Sequence, residues 1–170
     1  MEESYHAVHI KSVYSWGYPM VSFSSFQSPS GTIRIGIEDG YVVSLRCVDT
    51  VEPSIPSPLS EFVEQQLHEY FSGKRKHFDF PLRPAGTPFQ KSVWQTLLDI
   101  PYGQTRTYGQ IATAIGKPRA VRAVGMACNR NPICIVIPCH RVIGANSALT
   151  GYAGGLGLKQ KLLELEHRNA

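Results

Sequence analysis

Cys139 and His140 are adjacent and follow directly on Pro138. A cysteine acts as a nucleophile through its thiolate, and a free thiol, with a pKa of about 8.5, is mostly protonated near neutral pH. A histidine within reach supplies the base that such chemistry needs. The same pair has a purely structural reading, because free cysteine is among the most buried residue types. Glu166 is a carboxylate to be placed. Leu158, Leu162 and Leu165 share one face of a last helix expected to start near Leu158, and Glu166 lies four residues after Leu162 at the edge of that stripe. A carboxylate there is either solvated at the rim or partnered inside. Thr150 to Gly157 is dense in glycine with one aromatic, Tyr152, and can bend closely around a ligand. No Gly-Lys-Ser/Thr follows it and no βαβ frame surrounds it, which argues against a phosphate loop or a dinucleotide loop.

These groups need rigid supports. Ile133-Cys134-Ile135-Val136-Ile137 is a short apolar run that predicts a buried strand, and Pro138 would end its pairing for want of an N–H. Cys139 is thus expected where a strand gives way to a turn, at a pocket wall. Upstream, Thr87-Pro88-Phe89-Gln90 and Thr107-Tyr108-Gly109-Gln110 both match the capping box that opens a helix. A further helix is expected from about Pro118 to Asn129, after the break at Gly116-Lys117-Pro118. Two short helices about a glycine-containing turn resemble a helix-turn-helix, the second being the recognition helix. At 100° per residue, Ala120, Ala123, Val124 and Ala127 form its buried stripe, with Arg122, Gly125, Met126 and Asn129 exposed. An exposed glycine inside a helix costs about 1 kcal/mol relative to alanine. Close approach of another backbone, such as nucleic acid, is one reason to keep it; a merely structural helix hairpin is the other reading.

The first half reads as a scaffold. Val21, Phe23 and Ser25 alternate with Ser22 and Ser24; Ile33, Ile35 and Ile37 alternate with Thr32, Arg34 and Gly36; Val43, Leu45 and Cys47 continue the pattern. With turns at Ser28-Pro29-Ser30-Gly31 and Asp39-Gly40, this predicts an antiparallel meander of three strands. A helix from Leu59 to Phe71 ends at Gly73. Lys74, Arg75, Lys76 and His77 could meet a phosphate or form a solvated loop. Phe78, Phe80 and Leu82 suggest an edge strand. The expected architecture is α+β: a small N-terminal antiparallel-sheet-plus-helix domain over 1–86, and a mainly helical C-terminal domain over 87–170 with a winged-helix-like helix-turn-helix.

The chain of 170 residues has 42% hydrophobic and 18% charged residues and a net charge of +4, ordinary for a globular protein and permissive of a polyanionic partner. Cys47, Cys128, Cys134 and Cys139 make no C-x-x-C pair and read as reduced thiols. Met1-Glu2-Glu3 opens no signal peptide, and no apolar run approaches the length of a bilayer span. His6 and His9 show no zinc spacing with other ligands. A cytoplasmic protein (nuclear in a eukaryote), with no metal and no membrane association, is expected.

Several pieces in order resemble the O6-alkylguanine-DNA alkyltransferase family. They are Phe89-Gln90-x-x-Val93-Trp94, Ile100-Pro101-Tyr102-Gly103, Thr107-Tyr108, Arg122-Ala123-Val124-Gly125, Asn131-Pro132, Pro138-Cys139-His140-Arg141-Val142-Ile143-Gly144, Gly151-Tyr152-Ala153-Gly154-Gly155 and Leu162-Leu163-x-x-Glu166. The likeness is strong from Thr87 to Glu166 and looser before it. It implies direct reversal of DNA damage: a single transfer of the O6-alkyl group of guanine, and also O4-alkyl of thymine, to Cys139. It implies that His140 takes the thiol proton through a water, that Glu166 orients His140, that Asn131 holds the turn by hydrogen bonding, and that Tyr108 protonates the leaving guanine. It further implies DNA contacts from Arg122, which fills the space of a flipped base, and from Ala123, Gly125, Tyr108 and Arg141, with the helix in the minor groove. Tyr152, Ala153, Gly154 and Met126 would form the base pocket. Serine stands at the Ala153 position in some relatives, which bears on one hydrogen bond and on bulky alkyl groups. No cofactor is implied, and a monomer acting on double-stranded DNA is expected. Two competing readings are a non-catalytic alkylated-DNA-binding protein, against which the Cys139, His140 and Glu166 set stands, and a cysteine hydrolase, against which Arg122 on its recognition helix stands.

Overall fold

The computed structural model describes residues 20–51 and 53–170; residues 1–19, with His6 and His9, lie outside the described residues. Three antiparallel strands, β1 (Ser22–Ser28), β2 (Gly31–Glu38) and β3 (Tyr41–Val48), form a meander in that order. Asp39 and Gly40 both take positive φ at the β2–β3 hairpin, as a two-residue turn matched to strand twist requires. Ile33, Ile35 and Ile37 face the core as expected. In β1 the opposite parity is buried: Ser24 and Phe26 point inward, not Val21, Phe23 and Ser25. The serines made both faces look alike, and register with β2 (Ser24 opposite Ile35, Phe26 opposite Ile33) decides between them. In β3 the core residues are Val42 and Leu45, not the alternating set from Val43. A bulge between Gly36 and Ile37 places Val42 opposite Ile37 and Ser44 opposite Gly36, so Val43 is the extra residue and the alternation slips.

Helix α1 (Pro58–Phe71) packs on this sheet through Val63, Leu67 and Tyr70, with Ser57 and Ser60 closing a capping box. Arg75 in the basic run is held by Glu69 at 2.6 Å and Asp79 at 2.8 Å, so its guanidinium serves the loop itself. The expected strand through Phe78, Phe80 and Leu82 reduces to a single bridge of Leu82 to Val42. Phe78 and Phe80 pack as a coil against the aromatic cluster at Tyr70, which buries Phe80 and half-buries Phe78 without a ladder.

The second half is helical: α2 (Pro88–Leu98), α3 (Tyr108–Ala114), α4 (Val121–Asn129) and α5 (Leu156–Arg168). The capping boxes at Thr87 with Gln90 and Thr107 with Gln110 are both formed. α4 begins three residues later than expected, at Val121, without a side-chain cap. Trp94 locks α2 to α4 by donating from Nε1 to the Ala127 carbonyl at 2.9 Å. Short strands β4 (Arg106–Thr107) and β5 (Val142–Ile143) pair in parallel and join the start of α3 to the segment just after Cys139. Among the described residues no helix is long and apolar enough to cross a membrane.

Candidate active site

The run Ile133 to Ile137 is buried as expected, but it is a tight turn and not a strand. Only Ile133 bridges a strand, to Leu45. The backbone then folds on itself: Val136 N donates to Cys134 O at 2.8 Å, and Ile137 N to Ile133 O at 3.0 Å. Ile135 sits at φ +71°, a conformation costing a β-branched residue on the order of 1–3 kcal/mol. Asn131 at the centre of the turn offsets that strain. Its Oδ1 accepts from Ile133 N at 3.0 Å; its Nδ2 donates to Ile137 O at 2.7 Å and to Cys139 Sγ at 3.2 Å. Both amide protons are thus spent, one on the turn and one on the thiol. Apolarity alone could not separate strand from turn here, since both bury the same side chains.

Cys139, His140 and Arg141 form one turn of 3-10 helix after Pro138, all buried. Glu166 on α5 is 0% exposed and is the hub of the site. Its Oε1 accepts from Tyr70 Oη at 2.6 Å, His140 Nε2 at 2.7 Å and Arg141 Nη2 at 2.9 Å. Its Oε2 accepts from Arg141 Nε at 2.8 Å and Gly103 N at 3.1 Å. The carboxylate is therefore partnered inside and not at the rim. Burial by itself would raise its pKa, but the His140 and Arg141 donors outweigh it and hold Glu166 well below the usual carboxylate range.

This charge arithmetic defines His140. Arg141 already balances Glu166, and burial lowers the imidazole's affinity for a proton, with the Glu166 bond partly opposing. His140 rests neutral, with its one proton on Nε2 committed to Glu166. Nδ1, which has no hydrogen-bond partner among the described residues, is left as the proton acceptor. The Cys139 thiol is pushed up to about 11 by burial, against the Asn131 hydrogen bond and the charge of Lys159, so it rests protonated beside that base. Cys128, also buried, is pushed up to about 12 by burial and by Cys139, with only the charge of Lys159 opposing.

Arg141, expected at the DNA surface, is 6% exposed and committed inward: its remaining Nη1 donates to Ile100 O at 2.6 Å, closing the loop after α2. Its family-pattern position beside Cys139 and His140 hid this, because the neighbouring residues give no direction to the side chain. Met126, expected in the base pocket, is 56% exposed and lines a cleft with Phe89, Gln90, Ala123 and Arg130 at the start of α2. The buried stripe of α4 is Val124, Ala127 and Cys128, while Ala123 is exposed. That rotation leaves Arg122 and Ala123 outward together, with Gly125 toward Tyr108.

Two site residues escaped the sequence reading. Tyr70 reaches Glu166 from α1, a partner ninety-six positions away. Lys159 is 0% exposed on α5, its Nζ donating to Val142 O at 2.6 Å and Thr150 O at 3.0 Å. Its signal was present: Lys159, Leu162 and Glu166 stand at i, i+3 and i+7 of the buried face. Thr150 O also accepts from Tyr108 Oη at 3.0 Å, so α3, α5 and the glycine-rich loop meet at one carbonyl. Tyr152 is buried, Ala153 and Gly154 are exposed. A Cβ on Gly154 would meet Leu158 at 2.8 Å and Tyr152 at 2.9 Å, so glycine is what lets the loop close over α5.

The arrangement can activate a thiol beside an outward-facing helix. Residues 88–168 match the family model described as 6-O-methylguanine DNA methyltransferase, DNA binding domain, and 23–84 the one described as 6-O-methylguanine DNA methyltransferase, ribonuclease-like domain. A methylated-DNA–protein-cysteine methyltransferase of Methanosarcina acetivorans is 53% identical over 151 residues, covering 85% of this chain and 97% of that protein. One from Mycolicibacterium paratuberculosis is 48% identical, covering 89% and 95%. The crystal structure of the Mycobacterium tuberculosis O6-methylguanine methyltransferase superposes with a TM-score of 0.81 at 44% identity, over 89% of this chain and 95% of that one. The M. tuberculosis protein solved in complex with DNA gives 0.81 at 45%, over 88% and 95%. With both halves matched and relatives this similar along nearly their whole length, the chain belongs to the methylated-DNA–protein-cysteine methyltransferase family.

Proposed function

We propose that this chain repairs O6-alkylguanine in double-stranded DNA by one irreversible transfer of the alkyl group to Cys139. The observation that carries the reading is the buried sequence of contacts from Glu166 to His140, with Nδ1 of that imidazole unpartnered and a resting thiol next along the chain. His140 takes the thiol proton at Nδ1 through a water. The Cys139 sulfur attacks the alkyl carbon, the bond from that carbon to guanine O6 breaks, and the restored guanine takes a proton from Tyr108. The sulfur–carbon bond is stable, so the acceptor is consumed. A thiol that rests protonated suits a reagent used once, because it is spared from other electrophiles until substrate is bound.

The target base is out of reach inside a duplex and must be flipped. Arg122 fills the vacated stack, while Ala123 and Gly125 let α4 approach the minor groove. Gly125 supports this on structural grounds. A Cβ there would only touch Tyr108 at 3.8 Å, so the protein's own packing does not demand glycine at a position where alanine is preferred by about 1 kcal/mol. Tyr152, Ala153 and Gly154 line the base pocket. The same chemistry extends to O4-alkylthymine. In this division of labour residues 1–86 support and 87–170 react and bind, as a monomer in the cytoplasm, or in the nucleus of a eukaryote.

The test is transfer of label from duplex DNA carrying radiolabelled O6-methylguanine. One equivalent should move to protein and stop, and Cys139→Ala should abolish it. Tight binding to the alkylated duplex with no transfer by the wild-type chain would favour a damage-sensing protein instead.

A further inference from the structure

Two thiols that the alkyl transfer leaves unused meet at the seam between the sheet and the active-site turn. Here β3 and the turn make a short parallel ladder. Leu45 N donates to Pro132 O at 2.8 Å, Cys134 N donates to Leu45 O at 2.9 Å, and Leu45 bridges Ile133. Cys47 is the next outward step along β3 beyond Leu45 on the same side of the strand, and its thiol and its backbone N–H both meet the Cys134 sulfur. Cys47 is exposed and Cys134 half-buried, whereas Cys128 and Cys139 are buried. The Cys134 thiol as hydrogen-bond partner draws the Cys47 pKa down, while burial drives Cys139 and Cys128 up to about 11 and about 12. A solvent-borne oxidant therefore meets Cys47 first, as the most exposed and most ionised thiol of the four.

We propose that Cys47 and Cys134 form a redox site that reduces a small disulfide of the glutathione class and closes into a cross-link between β3 and the active-site turn, leaving Cys139 as the free acceptor. The exchange balances. The Cys47 thiolate attacks one sulfur of the oxidised disulfide, giving a mixed disulfide and releasing one small thiol. The Cys134 sulfur then attacks Cys47, its proton passing to the second departing thiolate. Two protein thiols and one small disulfide become one protein disulfide and two small thiols. A cytosolic disulfide of this kind is transient and responsive, not a permanent staple. Its effect is on the turn: the bond pins Cys134, within the strained segment that Asn131 holds, to a strand of the sheet. By closing a long loop it also restricts the unfolded chain.

The experiment uses the full reduced chain and oxidised glutathione at mildly alkaline pH, read by thiol titration and by a peptide map without reduction. The expected result is loss of two thiols, one linked peptide pair containing Cys47 and Cys134, a thermal midpoint higher by several degrees, and Cys139 recovered as a free thiol in the same map. Cys47→Ser should keep all remaining thiols free, and Cys128→Ser should behave as wild type. A glutathione adduct that persists on Cys47, or Cys139 as the first thiol lost, would overturn the proposal. The wild-type peptide map decides even if a variant folds poorly. Because it reads thiols and not repair, it stands or falls apart from the alkyl-transfer reading.

Discussion

The hub around Glu166 and the outer face of α4 are built on opposite rules. At the hub every charged group is buried and partnered, and the partners come from α1, the loop after α2, the Cys139 turn and α5. On α4 the outward residues include Arg122, Ala123, Met126 and Asn129, with Gly125 half-buried against Tyr108, and they depend on little beyond the rotation of one helix. Chemistry here needs the whole fold to hold one carboxylate, whereas recognition needs one helix kept clear. Damage to the hub should therefore cost stability and transfer on any substrate, and damage to α4 should cost only transfer on duplex DNA.

The largest effect is expected at Glu166. Glu166→Gln leaves Arg141 buried without its counter-charge, a loss of about 3–5 kcal/mol, and also releases the His140 tautomer, with transfer slowing by roughly 100-fold. Urea unfolding and single-turnover kinetics measure the two. Arg122→Ala should slow transfer from duplex DNA by roughly 30-fold, if its insertion offsets about 2 kcal/mol of base flipping, without moving the urea midpoint. An unfolding midpoint that moved as far as that of the Glu166 variant would break the contrast. Tyr70→Phe removes one hydrogen bond to a charged acceptor, worth about 1.5–3 kcal/mol. It should slow transfer severalfold on duplex and free base alike, tying the N-terminal sheet and helix to the chemistry.

Acid gives a second view of the hub. Glu166 has a folded pKa depressed below its unfolded value near 4.3. Its contribution to stability is thus present above that value and lost as pH falls below it. His140 is also depressed, by burial, below its unfolded value near 6.5, so the unfolded chain binds its proton first and stability begins to fall below that pH. The urea midpoint should decline in two stages between neutrality and pH 4 and below, and Glu166→Gln should flatten the lower stage. The smallest effect is at Gly125. Gly125→Ala fits against Tyr108 and should raise stability by up to about 1 kcal/mol while lowering duplex affinity, a gain and a loss at one atom.

The same contrast explains what could be read from the sequence. α2 and α3 were legible because a capping box and an apolar face are local signals, and both boxes form where Thr87 and Thr107 stand. Glu166 was ambiguous from spacing because its partners lie 26, 63 and 96 positions away, and only the family pattern put it beside His140. Arg141 went the other way: the family pattern put it at the DNA, but the Glu166 carboxylate claims it. Ile133 to Ile137 looked like a strand because composition records burial and not direction, and the side chain of Asn131 supplied hydrogen bonds that a strand would have sought elsewhere. In β1 and β3, serine on both faces and a single bulge shifted which residues point inward.

The most direct measurement is a single-turnover comparison of Glu166→Gln and Arg122→Ala with two substrates, an O6-methylguanine duplex and the free base O6-benzylguanine. The account predicts that Glu166→Gln slows both substrates by a similar factor, while Arg122→Ala slows the duplex reaction and affects the free base far less. If Glu166→Gln slowed only the duplex, or if Arg122→Ala slowed both equally, the separation of a buried chemical hub from a cleared recognition helix would be wrong.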